Sequence, residues 1–236
     1  MKHLFVINPY SSFARGRTED IAQSIDNFFE DYKYIPYDIY VTRWRRDAVG
    51  FAHTYVREAK GMVRIYAIGG DGTLFEVING VMGLPNVQVA ACSNANVNKF
   101  IKAFGDAKTN RLFSMFQALV FASTIPVDII RCGHHFGFNI KVGPSRSLTI
   151  SSDIPNLDSN CSSVVIATRK NNGSFDVRLP SGVVHTVSKL SVSSPEMFPV
   201  TIDGENFFDT SMDYEIIPDA IDFVLPGEIG RGEDWL

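Results

Sequence analysis

Residues 68–80, IGGDGTLFEVING, bring three glycines, a carboxylate and a hydroxyl into one short turn. Gly69, Gly70 and Gly72 permit backbone angles and close approaches that a Cβ would block. A helix beginning there would offer its bare N–H groups and positive dipole end to an anion, and a phosphate is the natural guest. Asp71 adds a carboxylate that a plain tight turn does not need. It can bind Mg²⁺, accept a proton, or hold the loop through a local hydrogen bond. Thr73 is placed to cap the helix, with Glu76 three residues on completing a capping box.

The flanking residues say what holds this turn. Residues 62–68 are apolar and rich in β-branched side chains, which predicts a buried strand ahead of it. Behind it Leu74, Val77, Ile78 and Val81 recur at helical spacing. Strand patterns at residues 3–8, 34–41 and 86–92 alternate with helix patterns at 18–29 and 47–60, with Thr18 expected as the first N-cap. Such alternation predicts a doubly wound parallel sheet whose ligand sits at the carboxyl ends of the strands. A further helix is expected over residues 111–122, with Leu112, Met115, Phe116 and Leu119 as packing residues.

GGDGT followed by E-V-x-N-G resembles the nucleotide motif of the diacylglycerol kinase catalytic-domain family, which includes bacterial lipid kinases and sphingosine kinases. The shorter GGDGT string is shared with NAD kinases. The resemblance implies that Gly69, Gly70, Gly72 and Thr73 contact the phosphates of ATP, with Glu76 beside them, and that Asp71 serves the Mg²⁺-phosphate site. The opening N-P-Y-S-S is similar to the family's start and marks Asn8, Ser11 and Ser12 as phosphate neighbours; on the residues alone it is equally a turn with Asx-type hydrogen bonds. Thr42 matches a threonine on the adenine side. The late D-G-E matches a family motif in which the glutamate is the general base, here Glu205, while Asp203 and Gly204 read as a hairpin turn. The reading requires Asp71 and Glu205 to meet at one cleft.

Residues 93–101, SNANVNKFI, depart from the family's P-x-G-T-x-N-D-F-A. Asn98 and Phe100 match, and Asn96 stands in the threonine position, so Asn96 and Asn98 remain nucleotide candidates. Lys99 replaces an aspartate and reverses the charge next to the phosphates. Residues 143–161 are brief and polar where family lipid kinases carry helical segments, leaving less apolar wall for an acyl chain.

From Ile125 the texture becomes short alternating runs split by Gly, Pro and Asn, which predicts an antiparallel β domain. The expected division is a nucleotide domain over 1–122 and a β-rich substrate domain over 123–236, the last segment returning to the first domain. Asp128 fits a structural role there, and C-G-H-H at 132–135 reads as a hairpin turn rather than a metal site.

With 45% hydrophobic and 20% charged residues the chain has an ordinary globular composition. Three separated cysteines with no C-x-x-C pair fit a reducing compartment and argue against both a disulfide framework and a zinc knuckle. No apolar run approaches a membrane span, so a cytoplasmic protein is expected. A net charge of -4 argues against nucleic acid and against broad attraction to an anionic membrane, leaving at most a local, peripheral contact. The run Arg43, Trp44, Arg45, Arg46 could make one, or meet phosphate; its plainer reading is a solvated start to a helix. A homodimer stays open.

Two functions follow. One is an ATP- and Mg²⁺-dependent kinase acting on a hydroxyl of a lipid or small molecule. The other, from the charge reversal at Lys99, is a nucleotide-binding regulatory module; an NAD-kinase-like enzyme is a third reading.

Overall fold

The computed structural model describes residues 1–92, 116, 118–154, 157, 160–168 and 172–224. The chain divides into two compact units, Met1–Pro126 with Ile221–Leu236, and Val127–Ala220.

The first unit alternates β1 (Lys2–Ile7), α1 (Thr18–Glu30), β2 (Tyr37–Val41), α2 (Asp47–Glu58), β3 (Val63–Ile68), α3 (Asp71–Val81) and β4 (Val87–Cys92). The four strands are parallel, ordered β2-β1-β3-β4. β3 is buried throughout, as a central parallel strand is, and Arg64 is its one charged residue. On one face Phe5, Ile7, Tyr66, Ile68, Ala90 and Cys92 pack against Ile21, Ile25, Phe28 and Phe29 of α1 and against Phe116 and Leu119. Phe5 lies flat on Tyr66, ring centres 4.3 Å apart. α2 packs on α3, and Gly80 is where their backbones meet: a Cβ there would stand 2.5 Å from the Val49 carbonyl oxygen.

The strand at 34–41 begins only at Tyr37, and α1 begins at Thr18 itself, so Thr18 is not its N-cap; its hydroxyl donates back to the Ala14 carbonyl at 3.3 Å. Of the helix expected over 111–122, residues 116 and 118–122 are described; 116 and 118–120 are helical, and Phe121 and Ala122 lie past its end.

The second unit holds the antiparallel strands β5 (Thr124–Cys132), β6 (His135–Gly137), β7 (Asn139–Val142), β8 (Leu148–Ser152), β9 (Asn160–Cys161), β10 (Val164–Thr168), β11 (Phe175–Arg178), β12 (Val184–Val187), β13 (Lys189–Ile202) and β14 (Glu205–Val224). β5 enters it from the first unit; β14 leaves it, and its last residues pair with β4. The order is β12-β11-β10-β7-β13-β14, with β5 and β6 off β14 and β8 and β9 off β13. Ile140, Ile166 and Val177 stand side by side in register and are buried.

Carboxylates punctuate these strands. Asp203 accepts from the amides of Phe138 and Asn139 at 2.9 and 2.8 Å, which breaks the run F-G-F-N-I-K-V into β6 and β7. Asp153 accepts from the amides of Ser188 and Lys189, which separates β12 from β13. Buried Asp128 accepts from the amides of Gly173 at 2.9 Å and Asp219 at 3.0 Å, where Asp219 is left-handed with φ 49°. Its structural role is observed. C-G-H-H forms the β5–β6 hairpin, with Gly133 at φ 57°.

Candidate active site

The strand registers align Val41, Ile7, Ile68 and Cys92 across β2, β1, β3 and β4, so the residues that follow leave the sheet from one edge. Backbone bonds extend the pairing one step further, from Thr42 N to the Ile7 carbonyl, Asn8 N to Ile68 and Gly69 N to Cys92, at 2.9 to 3.1 Å. The chain runs outward from β1 to β2 on one side and to β3 and β4 on the other. The reversal between β1 and β3 is the switch point at which open α/β sheets take ligands. Asn8 and Gly69 are the first residues after those two strands.

A side-chain bond spans the switch. Asn8 Nδ2 donates to Thr73 Oγ1 at 3.0 Å. The Asn8 side-chain oxygen accepts from the Tyr10 amide at 3.0 Å. Thr73 is buried, and its side chain lies over Gly69, where an added Cβ would overlap the hydroxyl oxygen and approach the Thr73 Cβ to 2.8 Å. Gly69 is thus set by close approach. Neither it nor Gly70, at φ -92°, needs a left-handed backbone.

The capping box does not form. The N-cap of α3 is Gly70, which has no side chain to cap with, and Thr73 lies within the first turn bonded to Asn8. Glu76 turns to the neighbouring helix: Oε1 accepts from the Arg46 amide at 2.8 Å and Oε2 from the Ala48 amide at 3.3 Å. These belong to the N-cap and first turn of α2, so Glu76 caps a helix other than its own. Arg46 is left-handed, φ 66°, and the bond to Glu76 helps hold it there. Asp47 closes the same loop by accepting from the Tyr40 hydroxyl and the Arg43 amide, each at 2.8 Å. Neither carboxylate contact is visible in spacing alone, because donor and acceptor of the first lie 30 residues apart.

Thr42 is buried at the end of β2. The Ser11 hydroxyl donates to the Asn8 carbonyl at 2.8 Å and accepts from the Ala14 amide at 3.1 Å, so it shapes the turn after β1, while Ser12 is exposed. Asn8, Thr42, Gly69, Gly70, Asp71, Gly72 and Thr73 therefore share one edge of the first unit. Asn96, Asn98 and Lys99 lie outside the described residues.

Asp71 opens α3, half-buried, as the acid of its first turn. One hard oxygen donor at a helix start fits Mg²⁺ that arrives with phosphates and keeps waters, since that ion takes only one or two protein carboxylates in such sites. Among the described residues no group of three or more acids, histidines and cysteines is arranged to cage a metal.

Glu205 belongs to the second unit. It follows the two-residue turn of Asp203 and Gly204, whose φ values of 46° and 94° make it the hairpin turn expected from D-G. It pairs with Ile202, two residues from the Val200–Phe207 pair, so it shares the sheet face on which Ile202 and Val200 are buried. Alternate residues Asn206 and Phe208 face solvent. A half-buried carboxylate on the apolar face is not what a solvent-facing turn requires.

A glycine turn at a parallel-sheet switch point, joined to an antiparallel β unit, is an architecture the chain shares with solved kinases. The diacylglycerol kinase catalytic domain matches residues 2–132, more than half of the chain, and the chain belongs to that family. It is similar to the "Probable lipid kinase YegS-like" protein of Shewanella frigidimarina, with 22% identity over 88% of this chain and 89% of that one. A solved diacylglycerol kinase from Bacillus anthracis str. Sterne superposes with a TM-score of 0.74 at 14% identity, covering 97% of this chain and 98% of the other. A second structure from the same organism reaches 0.76 at 14% identity, covering 96% and 97%.

Proposed function

We propose that the protein is an ATP-dependent kinase of the diacylglycerol kinase type, transferring the γ-phosphate to a hydroxyl of a lipid or small molecule. The observation that carries this reading is the Asn8–Thr73 bond over Gly69 at the sheet's switch point. It fixes a bare-backbone turn and a helix start where a triphosphate would lie. Gly69, Gly70, Gly72 and Thr73 cradle the phosphates, Asn8 and Ser12 border them, and Thr42 lies on the base side, with Asn96 and Asn98 as further contacts. Glu76 serves the nucleotide indirectly, by holding the loop that follows Thr42. Asp71 would hold Mg²⁺ through the phosphates, and that ion neutralises charge on the transferring group when bound.

Glu205 is the general base of this reading. Its carboxylate takes the acceptor's hydroxyl proton as the oxygen forms its bond to the γ-phosphorus, and the bond to the β–γ bridging oxygen breaks, releasing ADP. Asp71 and Glu205 must then serve one substrate. The test is transfer of radiolabelled phosphate from ATP to a panel of lipids and small alcohols. Glu205→Gln is expected to lower kcat by about 10²–10⁴-fold with ATP binding kept, as loss of a general base does. Asp71→Ala is expected to abolish transfer. Transfer unaffected by either change would overturn the reading.

A second reading rests on Lys99, which reverses a charge where the family carries an aspartate. It expects ATP to raise the melting temperature with no acceptor phosphorylated.

A further inference from the structure

β2 is the last strand of the first unit's sheet, paired with β1 on one side and with no described strand on the other. Two backbone bonds fix the phase of that pairing: His3 N donates to the Pro36 carbonyl at 3.0 Å and Thr42 N to the Ile7 carbonyl at 2.9 Å. Successive residues of a strand turn their backbone groups to opposite sides, so Pro36, Asp38, Tyr40 and Thr42 face β1. Tyr37, Ile39 and Val41 face away from it. Their N–H and carbonyl groups make no bond within the described residues.

Proteins usually blunt an open edge with a lysine, a proline or a bulge. Tyr37–Val41 contains neither residue, and its register with β1 is unbroken. Its one charge, Asp38, is already held by Lys2 Nζ at 2.7 Å and by the Tyr55 hydroxyl at 2.6 Å. Tyr37 stacks on Phe29 with ring centres 4.2 Å apart, and Ile39 lies against the same core, so the edge is rigidly backed. Val41 is 37% exposed, and Tyr34, three residues ahead of the strand, is 78% exposed.

We infer that this edge joins a second copy of the chain, β2 against β2, about a two-fold axis through Ile39. Antiparallel pairing on that axis sets Ile39 opposite Ile39 of the second copy and Tyr37 opposite its Val41. Every outward N–H then meets an outward carbonyl. An axis at Asp38 or Tyr40 instead leaves Val41 or Tyr37 opposite residues outside the strand. The fit of the edge to itself is what selects a second copy over an unrelated strand. The side chains agree with it: exposed Val41 is covered by the Tyr37 ring of the second copy, an aromatic and β-branched pair of the kind that stabilises sheets. On the other face Asp38 falls opposite Tyr40 of the second copy, so no two acids are set against each other. The register also carries Tyr34 toward the loop after the second copy's Val41, where Trp44 is 61% exposed. The four parallel strands of each copy become one continuous sheet. This assembly goes beyond the kinase reading and stands without it.

Sedimentation velocity of the full chain over a wide concentration range tests the assembly, with a species of twice the 26.2 kDa chain mass expected as concentration rises. Val41→Pro removes an outward N–H while leaving every bond to β1, as proline can at an edge. It should weaken self-association about tenfold, since two intermolecular bonds are lost by symmetry. Val41→Thr keeps the N–H and the branched side chain and should associate like the parent. Disulfide trapping tests the register and does not depend on how well the proline variant folds. Ile39→Cys should link to itself under mild oxidation, because residues facing each other in a bonded pair lie about 5.5 Å apart at Cα. Val41→Cys should not, because the two Val41 positions lie about 13 Å apart, four residues along the strand. The parent, with Cys92 and Cys132 buried, is the control for linkage through native thiols. A chain that stays monomeric throughout, a Val41→Pro protein that associates like the parent, or Val41→Cys linking as readily as Ile39→Cys would each overturn the inference.

Discussion

Gly69 carries no side chain because Thr73 occupies the space where one would lie. The substitution Gly69→Ala forces Thr73 off its position and with it the bond to Asn8. The expected cost is about 1–3 kcal/mol, the usual range for overpacking a filled site. The loss of ATP binding should exceed what that destabilisation alone explains, because the turn itself moves. Adding Thr73→Ala to Gly69→Ala removes the clashing hydroxyl and methyl, so the double variant should melt above the Gly69→Ala protein. Differential scanning calorimetry with and without ATP checks both points. A Gly69→Ala protein that melts and binds ATP like the parent would show that the turn has room to spare.

At the scale of elements, Glu76 couples two helices that spacing alone would treat separately. Glu76→Ala leaves the amides of Arg46 and Ala48 without their acceptor and should destabilise the start of α2 by about 1–2 kcal/mol, as loss of a helix cap does. Amide hydrogen exchange should speed up at those residues first, before any change in α1. Asp203→Ala should act similarly in the second unit, freeing the amides of Phe138 and Asn139 and loosening the β6–β7 corner by about 1–3 kcal/mol. These examples mark what the sequence can express. Hydrophobic periodicity is local, so the parallel strands, their helices and the glycine turn were legible from residues 1–92. The D-G hairpin was legible because two left-handed residues need that pair. Long-range carboxylate bonds were not, since Glu76 with Arg46, Asp153 with Ser188 and Asp203 with Phe138 are joined only by the folded chain. For that reason the capping box was expected where an inter-helix cap exists. The apolar runs at 136–142 and 184–192 are likewise each divided by an aspartate from elsewhere in the chain. In the candidate site the same rule holds: the members of one turn were recognisable together, whereas the Asn8–Thr73 bond spans 65 residues and needed coordinates.

At the scale of the molecule, stability should fall on acidification through one residue of the first unit's core. His3 is 3% exposed, with Nδ1 2.7 Å from the Tyr66 hydroxyl and Arg64 opposite it in the strand register. Arg64 is itself buried, donating to Gln88 and to the carbonyls of Leu119 and Val120 at the end of a helix. Burial, reinforced by the charge of Arg64, holds the His3 pKa down from 6.5 to about 4. Above pH 6.5 the ring is neutral in both folded and unfolded chains and contributes no pH dependence. As pH falls from 6.5 toward 4 the unfolded chain takes up a proton that the folded one refuses, so stability declines across that window and levels off below it. The loss is on the order of 3 kcal/mol when the whole window is crossed. His3→Asn keeps a polar partner near Tyr66 without a titrating ring; it should start less stable at neutral pH and decline more gently on acidification. Thermal melts of the two proteins across the same pH series measure the difference in slope. Parallel slopes would mean that His3 takes its proton without unfolding this core, and that the acid limb belongs to other groups.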